Sequence, residues 1–468
     1  MKAGRILLFL TSIMVALTAI GFIVPDDGLS VGDLQLHFTS LHNIVESREQ
    51  QDIAVKSAHK PQTVTANDSI TYYRSLVNDG DLRFWLPNQH YLDSFWQSLE
   101  SAKSKGRTIR VLHYGDSQIE MDHITSRLRV SLQKRFGGTG PGMLPFQPIT
   151  PVMNARMGIT GELIHLATFG DSLAVRSRGN YGPMMQCFRL SGGSATVTVR
   201  PTSIGHADNR VKHLGRVRLI ANSRNGLSAS LQNIKGDKQR QPRTAQAGVT
   251  IMEWLPDSIR SNGFRLTASG SADLYALLVD GDGGGVAVDN IPMRGCSGQQ
   301  FSMVNERLLS DAYAQMDIGM IILQFGGNSV PYLKTSKQIS TYCQSIGNQI
   351  DYIHRCCPEA KILFIGPSDM STRVRGNLQT YPAIPELIDS LAATALSHGV
   401  AYWSIYHAMG GHNSMLSWKR QGLAGSDYIH FSQHGADIMG DRLSEAFINC
   451  YKLYKFERQN RKRNTKRR

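Results

Sequence analysis

The sequence predicts an α/β fold with a parallel central sheet, interrupted by an inserted β-sandwich. Strand-like apolar runs alternate with helical stretches in residues 66–150 and again in 285–455. Such alternation is typical of a parallel sheet covered by helices on both faces. Between these parts, residues 151–284 contain short β-type runs separated by turn residues. That composition favours an all-β insertion.

The first part begins with a helix and a strand. Apolar residues at helical spacing predict a helix over 92–103, and a short strand follows at 109–114. After that strand, apolar residues recur at every fourth position and predict an amphipathic helix ending at Gly137, with its apolar face formed by Ile124, Leu128, Leu132 and Phe136. Ser117 therefore lies in a turn from a strand to a helix.

The insertion and the second part follow in order along the chain. The β-type runs of the insertion lie at 195–200, 217–221, 249–254, 264–267 and 274–279. The second part predicts further strands at 285–288, 318–324, 361–365 and 400–403, and a last helix over about 433–454. A structural role and a carbohydrate-binding role for the insertion both stay open, because Trp254 and Tyr275 lie in apolar strand patterns that also suit a core.

The N-terminus predicts a signal anchor over residues 1–24. Lys2 and Arg5 precede an uncharged run from Ile6 to Val24, which as a helix spans about 28 Å, close to the hydrocarbon thickness of a bilayer. Positive charge before the run places the rest outside the cytoplasm. We therefore expect an exported protein, anchored in the inner membrane and facing the periplasm, or secreted if the helix is cleaved. Residues 25–65 are expected to form a stalk or linker.

Charge and cysteine content exclude two kinds of binding site. The formal net charge is +14, but much of it lies in a basic tail over 456–468, so no nucleic-acid partner is expected. That tail suits either a solvated segment or attraction to anionic lipids or acidic wall polymers. The six cysteines show neither a CxxC motif nor zinc spacing, so no metal site is expected. Cys296 is interpreted as a buried structural thiol.

Four polar blocks follow predicted strands, where the active sites of parallel sheets gather. They are Gly115-Asp116-Ser117-Gln118, Gly295-Cys296-Ser297-Gly298, Gly326-Gly327-Asn328 and Asp427-Tyr428-Ile429-His430. Together they supply the parts of an acyl-transfer site: Ser117 as nucleophile, His430 as general base and Asp427 to orient the imidazole. Three donors are predicted to form the oxyanion hole, the backbone N–H groups of Ser117 and Gly295 and the side-chain amide of Asn328.

In this order the blocks resemble those of the SGNH (GDSL-like) hydrolases, over about residues 105–145 and 285–455. The resemblance implies a flavodoxin-like three-layer α/β/α sandwich, an acyl-enzyme mechanism and no cofactor. Gln118 replaces the leucine of the literal GDSL string, and Ser329 follows Asn328 where aspartate is frequent. The insertion and the expected export further resemble exported polysaccharide or peptidoglycan O-acetylesterases.

Two other residues need separate interpretation. Ser172 lies in a second, literal Gly-Asp-Ser-Leu string, but arginines and glycines follow it in place of an amphipathic helix, so Ser117 is the preferred nucleophile. His113 precedes the nucleophile turn within a strand, and we interpret it as structural.

We expect a serine esterase that removes acyl groups, O-acetyl above all, from a polysaccharide or peptidoglycan. Its expected partners are the acylated glycan and, through the N-terminal helix, the membrane. One alternative is a membrane-tethered O-acyltransferase, which would use the same triad and a membrane acyl-donor protein to acylate a glycan. Another is a non-catalytic glycan-binding protein of the cell envelope. The fate of the acyl-enzyme separates the first two functions.

Overall fold

The computed structural model describes residues 29–31, 34–36, 66–150, 152–170, 179–204, 207–235, 241–255 and 262–467. Strands β1 (Leu29–Val31) and β2 (Leu34–Leu36) form a short antiparallel hairpin. Ser69–Arg468 form one compact unit. The predicted anchor at Ile6 to Val24 lies outside the described residues. Within the described part of the chain, no helix combines the length and apolarity needed to cross a membrane.

Five parallel strands form the central sheet, in the order β12-β3-β13-β14-β17. Their bounds are β3 Thr108–Gly115, β12 Gly285–Pro292, β13 Ile318–Gln324, β14 Lys361–Gly366 and β17 Ala401–Ser404. The helices are α1 Ala66–Asn78, α2 Asp93–Ala102, α3 His123–Phe136, α4 Glu306–Tyr313, α5 Ser336–Cys356, α6 Ile384–Ser397, α7 Ile405–Met409, α8 Ser414–Arg420 and α9 Gln433–Arg467. A small hairpin, β15 Ser371–Val374 and β16 Asn377–Thr380, follows β14.

The sheet is buried on both faces, which confirms the three-layer sandwich. Val111 of β3 joins an apolar cluster with α2, α3 and α9, whereas the next residue, Leu112, joins a second cluster with α4, α5 and α6. Alternate side chains of a strand point to opposite faces, so one strand contributes to both cores. This is why the predicted strands appear in the sequence as continuous apolar runs.

The insertion is one antiparallel sheet of eight strands, in the order β10-β8-β11-β7-β5 with β4, β6 and β9 paired at its margins. Their bounds are β4 Gly142–Leu144, β5 Ala155–Thr160, β6 Ile164–Ala167, β7 Gln186–Pro201, β8 Arg216–Asn233, β9 Gln241–Ala245, β10 Gly248–Trp254 and β11 Phe264–Asp280. The predicted runs 264–267 and 274–279 are the two halves of β11, which is irregular near Ser269 and Leu274. Residues from both halves share one apolar cluster, so the long strands bend around a core of their own.

The last helix extends beyond its predicted end. Helix α9 continues to Arg467 and thus includes nearly all of the segment expected as a basic tail. Arg458 donates to Glu100 at 2.6 Å and Arg461 to Asp93 at 3.2 Å, both on or beside α2. Arginine and lysine are good helix formers, and these acidic partners hold part of the basic segment against α2.

Candidate active site

Three side chains meet at the carboxyl end of the parallel sheet. Ser117 follows β3, and Asp427 and His430 lie in the loop that leads into α9. The Oγ of Ser117 is 2.7 Å from Nε2 of His430, and Nδ1 of the same imidazole is 2.6 Å from Oδ2 of Asp427. These are hydrogen-bond distances. The structure therefore brings the three predicted residues together in the order nucleophile, base and orienting carboxylate.

Asp427 is held in its ionised form. Its Oδ1 accepts hydrogen bonds from the backbone N–H groups of Ile429 and His430, each at 3.1 Å. Partial burial raises the pKa of Asp427, but the hydrogen bonds from the His430 side chain and these two N–H groups outweigh it, so its pKa lies below the usual value. A carboxylate in this position fixes Nδ1 as the protonated nitrogen and leaves Nε2 facing Ser117 as the base.

Ser117 does not lead directly into an α-helix, although the sequence predicted a turn from a strand to a helix at this point. Ser117 opens a short 3₁₀ turn, Ser117–Asp122, and α3 begins only at His123. At the end of this turn, Met121 and Asp122 take positive φ angles of 57° and 62°. This kink separates Ser117 from the first turn of α3.

Two of the predicted oxyanion donors are unengaged. Among the described residues, none accepts a hydrogen bond from the backbone N–H of Ser117 or Gly295, and Gly295 is exposed with φ of 75°. Asn328 lies beside Ser117, but its Nδ2 is 3.2 Å from Oδ2 of Asp116 and 3.0 Å from the carbonyl of Cys296. To donate to an oxyanion, the Asn328 amide must therefore release or share one of these acceptors.

Asp116 has a role in the site that the sequence did not predict. Its carboxyl group is buried and accepts hydrogen bonds from the N–H of Gln118 at 3.0 Å and from Asn328. Burial raises the pKa of Asp116 to about 6, although these bonds and the nearby His430 lower it in part. Its position directly before the nucleophile, at the end of an apolar strand, was the available signal. Asp116 joins the nucleophile turn to Asn328.

Replacing Asp116 with asparagine should change how stability depends on pH. Because its pKa is raised in the folded state, the native protein binds this proton more tightly than the unfolded chain does. Below about pH 4 the protonated Asp116 carboxyl group contributes roughly 2–3 kcal/mol to the free energy of unfolding. This contribution is lost as the pH rises through about 6. Denaturant unfolding at pH 4 and pH 7 should show this difference between wild type and Asp116→Asn.

Wild type must be compared with the variant because the titration of His113 changes the stability of the protein in the opposite direction. Burial lowers the pKa of His113 to about 4, so its contribution is lost as the pH falls from about 6.5 towards 4. Its ring is bonded to Gln324 and Thr125, which supports the structural interpretation. Equal pH dependence in wild type and Asp116→Asn would show that Asp116 does not titrate in this range.

Gln118 connects the nucleophile turn to the loop of the catalytic histidine. Its Nε2 donates to the carbonyl of Ile429 at 2.6 Å and to Oγ of Ser368 at 3.2 Å. Its Oε1 accepts from the N–H of Phe431 at 3.4 Å. The leucine of the literal GDSL string has no group that can make these bonds. Gln118 thus positions His430 relative to Ser117.

We expect Gln118→Leu to lower kcat by about ten- to a hundredfold, because small displacements of a catalytic base have effects of that size. KM for a small ester should change much less. Gln421→Leu is a matched control, since among the described residues the Gln421 amide hydrogen-bonds only to Ser417, four residues earlier. A Gln118→Leu enzyme with the control's kcat would show that the loop keeps its position without this residue.

The Cys296 thiol has no place in this chemistry. Burial, together with the negative charge of Asp116, raises the pKa of the Cys296 thiol to about 12, so it is not a thiolate nucleophile. Ser172 lies outside the described residues. Within the described ranges, no cluster of His, Cys, Asp and Glu is arranged to hold a metal ion.

A small cavity opens beside Ser117 and His430. Its volume is about 210 Å³, and its walls include Phe325, Pro331, Tyr332, Pro367, Met370 and Ile405. Pockets for drug-sized ligands usually measure about 300–1,000 Å³. The cavity is thus of a size for a short, partly apolar group rather than for a long chain.

A model of the GDSL-like Lipase/Acylhydrolase family matches residues 257–438. The match includes Gly295, Asn328, Asp427 and His430, and it begins after Ser117, whose assignment rests on the contact with His430. No curated protein matches the sequence.

Several solved structures are similar to this chain. A peptidoglycan O-acetylesterase is 23% identical, covers 78% of this chain and 96% of its own, and has a TM-score of 0.59, which shows a shared fold. A family two carbohydrate esterase from Clostridium thermocellum (10% identity, 62% and 97% coverage, TM-score 0.23) aligns too loosely to carry an argument. The periplasmic domain of a lipopolysaccharide acetyltransferase from Salmonella ser. Paratyphi A also aligns too loosely. It is 14% identical, covers 35% of this chain and 73% of its own, and has a TM-score of 0.26. Residues 257–438 therefore form a GDSL-like Lipase/Acylhydrolase domain, and the chain shares its fold with a peptidoglycan O-acetylesterase.

Proposed function

We propose that the protein is a serine esterase that removes short acyl groups, O-acetyl above all, from a polysaccharide or peptidoglycan. The observation that carries the proposal is the hydrogen-bonded series from Ser117 through His430 to Asp427, with distances of 2.7 and 2.6 Å. Two features support the substrate class. The cavity of about 210 Å³ has room for an acetyl group and part of the alcohol that carries it, and a peptidoglycan O-acetylesterase shares the fold.

The geometry supports a two-step mechanism. Nε2 of His430 takes the proton of Ser117 as Oγ attacks the ester carbonyl, and the N–H groups of Ser117 and Gly295 stabilise the oxyanion. The imidazolium, held by Asp427, then protonates the leaving sugar oxygen, and an acyl-serine remains. In the second step His430 takes a proton from water, the water oxygen attacks the acyl carbonyl, and the proton returns to Ser117 as the carboxylic acid leaves.

The exposure of the base makes water available as the second acceptor. The side chains of His430 and Asp427 are 44% and 47% exposed, so solvent reaches the imidazole that must activate it. Acyl transfer to a sugar hydroxyl uses the same residues, and it is therefore an outcome that the experiment must distinguish. We further propose that the protein works outside the cytoplasm, on the basis of the apolar run from Ile6 to Val24.

The test uses the full-length chain with O-acetylated peptidoglycan fragments, an O-acetylated oligosaccharide and a long-chain acyl ester, each with a deacetylated oligosaccharide present. We expect free acetate from the first two substrates and little turnover of the long-chain ester. Acetylated oligosaccharide in place of free acetate would identify a transferase. Absence of turnover on every ester would contradict the proposed activity and favour a glycan-binding role.

A further inference from the structure

We infer that Tyr332 is a stacking platform for the sugar ring that carries the scissile ester, an inference that rests on the proposed function. Its side chain is 76% exposed, more than any other large apolar or aromatic side chain among the described residues. Its ring also takes no part in the aromatic and cation–π contacts found in the described part of the chain. An aromatic face left in water beside a reactive centre is available to a ligand.

Tyr332 lies at the active site itself. It lines the cavity of about 210 Å³ together with Ser117 and His430, and it ends the 3₁₀ turn Gly327–Tyr332 that begins next to Asn328. The same short segment therefore supplies a polar group beside the nucleophile and an aromatic ring at the edge of the cavity. A ligand whose ester lies beside Ser117 in this cavity is therefore close to this ring.

The backbone beneath the ring is well supported. Pro331 precedes Tyr332 and restricts the turn, and the N–H of Leu333 donates to the carbonyl of Val330 at 3.3 Å. Val330 and Leu333 are both buried. An exposed ring on a turn anchored at both sides loses little conformational freedom when a ligand binds.

The chemistry of the ligand follows from the exposed ring in the wall of the cavity. The cavity of about 210 Å³ is larger than an acetyl group, so the alcohol part of the ester also contacts its wall, which includes Tyr332. A pyranose ring presents C–H groups on its faces and hydroxyls around its edge. The C–H face suits the negatively charged face of an aromatic ring, and the hydroxyls remain in water. The ring of Tyr332 is therefore expected to distinguish a sugar ester from an alkyl ester with the same acyl group.

The experiment compares kcat/KM of the full-length chain for an O-acetylated oligosaccharide and for ethyl acetate, which carries the same acyl group and no ring. In Tyr332→Ala the ratio of the two values should fall by about 5- to 10-fold, mainly through KM for the oligosaccharide. Tyr332→Phe should keep the wild-type ratio, because stacking needs the ring and not the hydroxyl. Tyr72→Ala, which removes a tyrosine that is 58% exposed on α1, should change neither value.

An unchanged ratio in Tyr332→Ala, or an equal loss in Tyr332→Phe, would overturn the platform while leaving the esterase function intact. Binding of the oligosaccharide in a Ser117→Ala background gives a second measurement that needs no turnover. Adding Tyr332→Ala to that background should weaken the Kd by a similar factor. An unaltered Kd would overturn the inference about Tyr332, whether or not the enzyme turns over esters. Inactivity on every ester would count against the proposed function instead.

Discussion

Replacing Ser117 with alanine should lower kcat for acetyl esters by about 10⁴- to 10⁶-fold, because alanine cannot form the acyl-enzyme. The Oγ of Ser117 is the atom that His430 contacts, at 2.7 Å, and among the described residues no other hydroxyl hydrogen-bonds to this imidazole. The N–H groups of residues 117 and 295 remain in the variant, so a residual rate above the uncatalysed reaction is expected. Acetate release under single-turnover conditions measures both effects.

The second GDSL string supplies the matched control. Ser172→Ala changes the serine of the literal motif Gly170-Asp-Ser-Leu173 and should retain wild-type activity. The double variant Ser117→Ala with His430→Ala should be no slower than either single variant, since residues of a triad act as a unit. A fully active Ser117→Ala enzyme, or an inactive Ser172→Ala enzyme, would move the nucleophile to another serine.

The strands and helices of the hydrolase part were predictable because their signals are local. Ile124, Leu128, Leu132 and Phe136 recur at helical spacing in the sequence, and all four are buried on α3. Strands buried on both faces appear as uninterrupted apolar runs whatever the rest of the chain does. The bent sheet of the insertion was less accessible, because its pairing depends on residues far apart in sequence. Thus the predicted runs 264–267 and 274–279, which lie in the two halves of β11, did not show that they belong to one strand.

The candidate site was predicted for a related reason. Parallel strands end at one edge of the sheet, so polar blocks after separate strands must come together there. The contacts among those blocks were not predictable, because they depend on side-chain directions. Asp116 turns inwards to Asn328, Gln118 reaches the histidine loop, and Tyr332 remains exposed. Neither spacing nor composition distinguishes these three orientations.

A buried cluster of charges joins the insertion to the parallel sheet. Arg110 of β3 donates to both carboxylate oxygens of Asp289 on β12, at 2.7 and 2.8 Å, and to Asp280 at the end of β11, at 2.7 Å. Arg218 of β8 also contacts Asp280, at 3.0 Å. Arg110, Asp280 and Asp289 are almost completely inaccessible to solvent. Burial raises the pKa of Asp280, but Arg110 and Arg218 outweigh it, so the pKa lies below its usual value.

Arg110→Met should therefore destabilise the protein by about 3–5 kcal/mol, because it leaves carboxylates buried without their main partner. The expected readout is a lower denaturant midpoint, followed both by fluorescence and by loss of esterase activity. Arg107→Met is the matched control three residues earlier. It removes an ion pair with Asp317 whose side chains are 53% and 44% exposed, and such pairs contribute less than about 1 kcal/mol. Equal midpoints for the two variants would contradict this role of the cluster, because removing a buried arginine that bridges two carboxylates should reduce stability more than removing an exposed one.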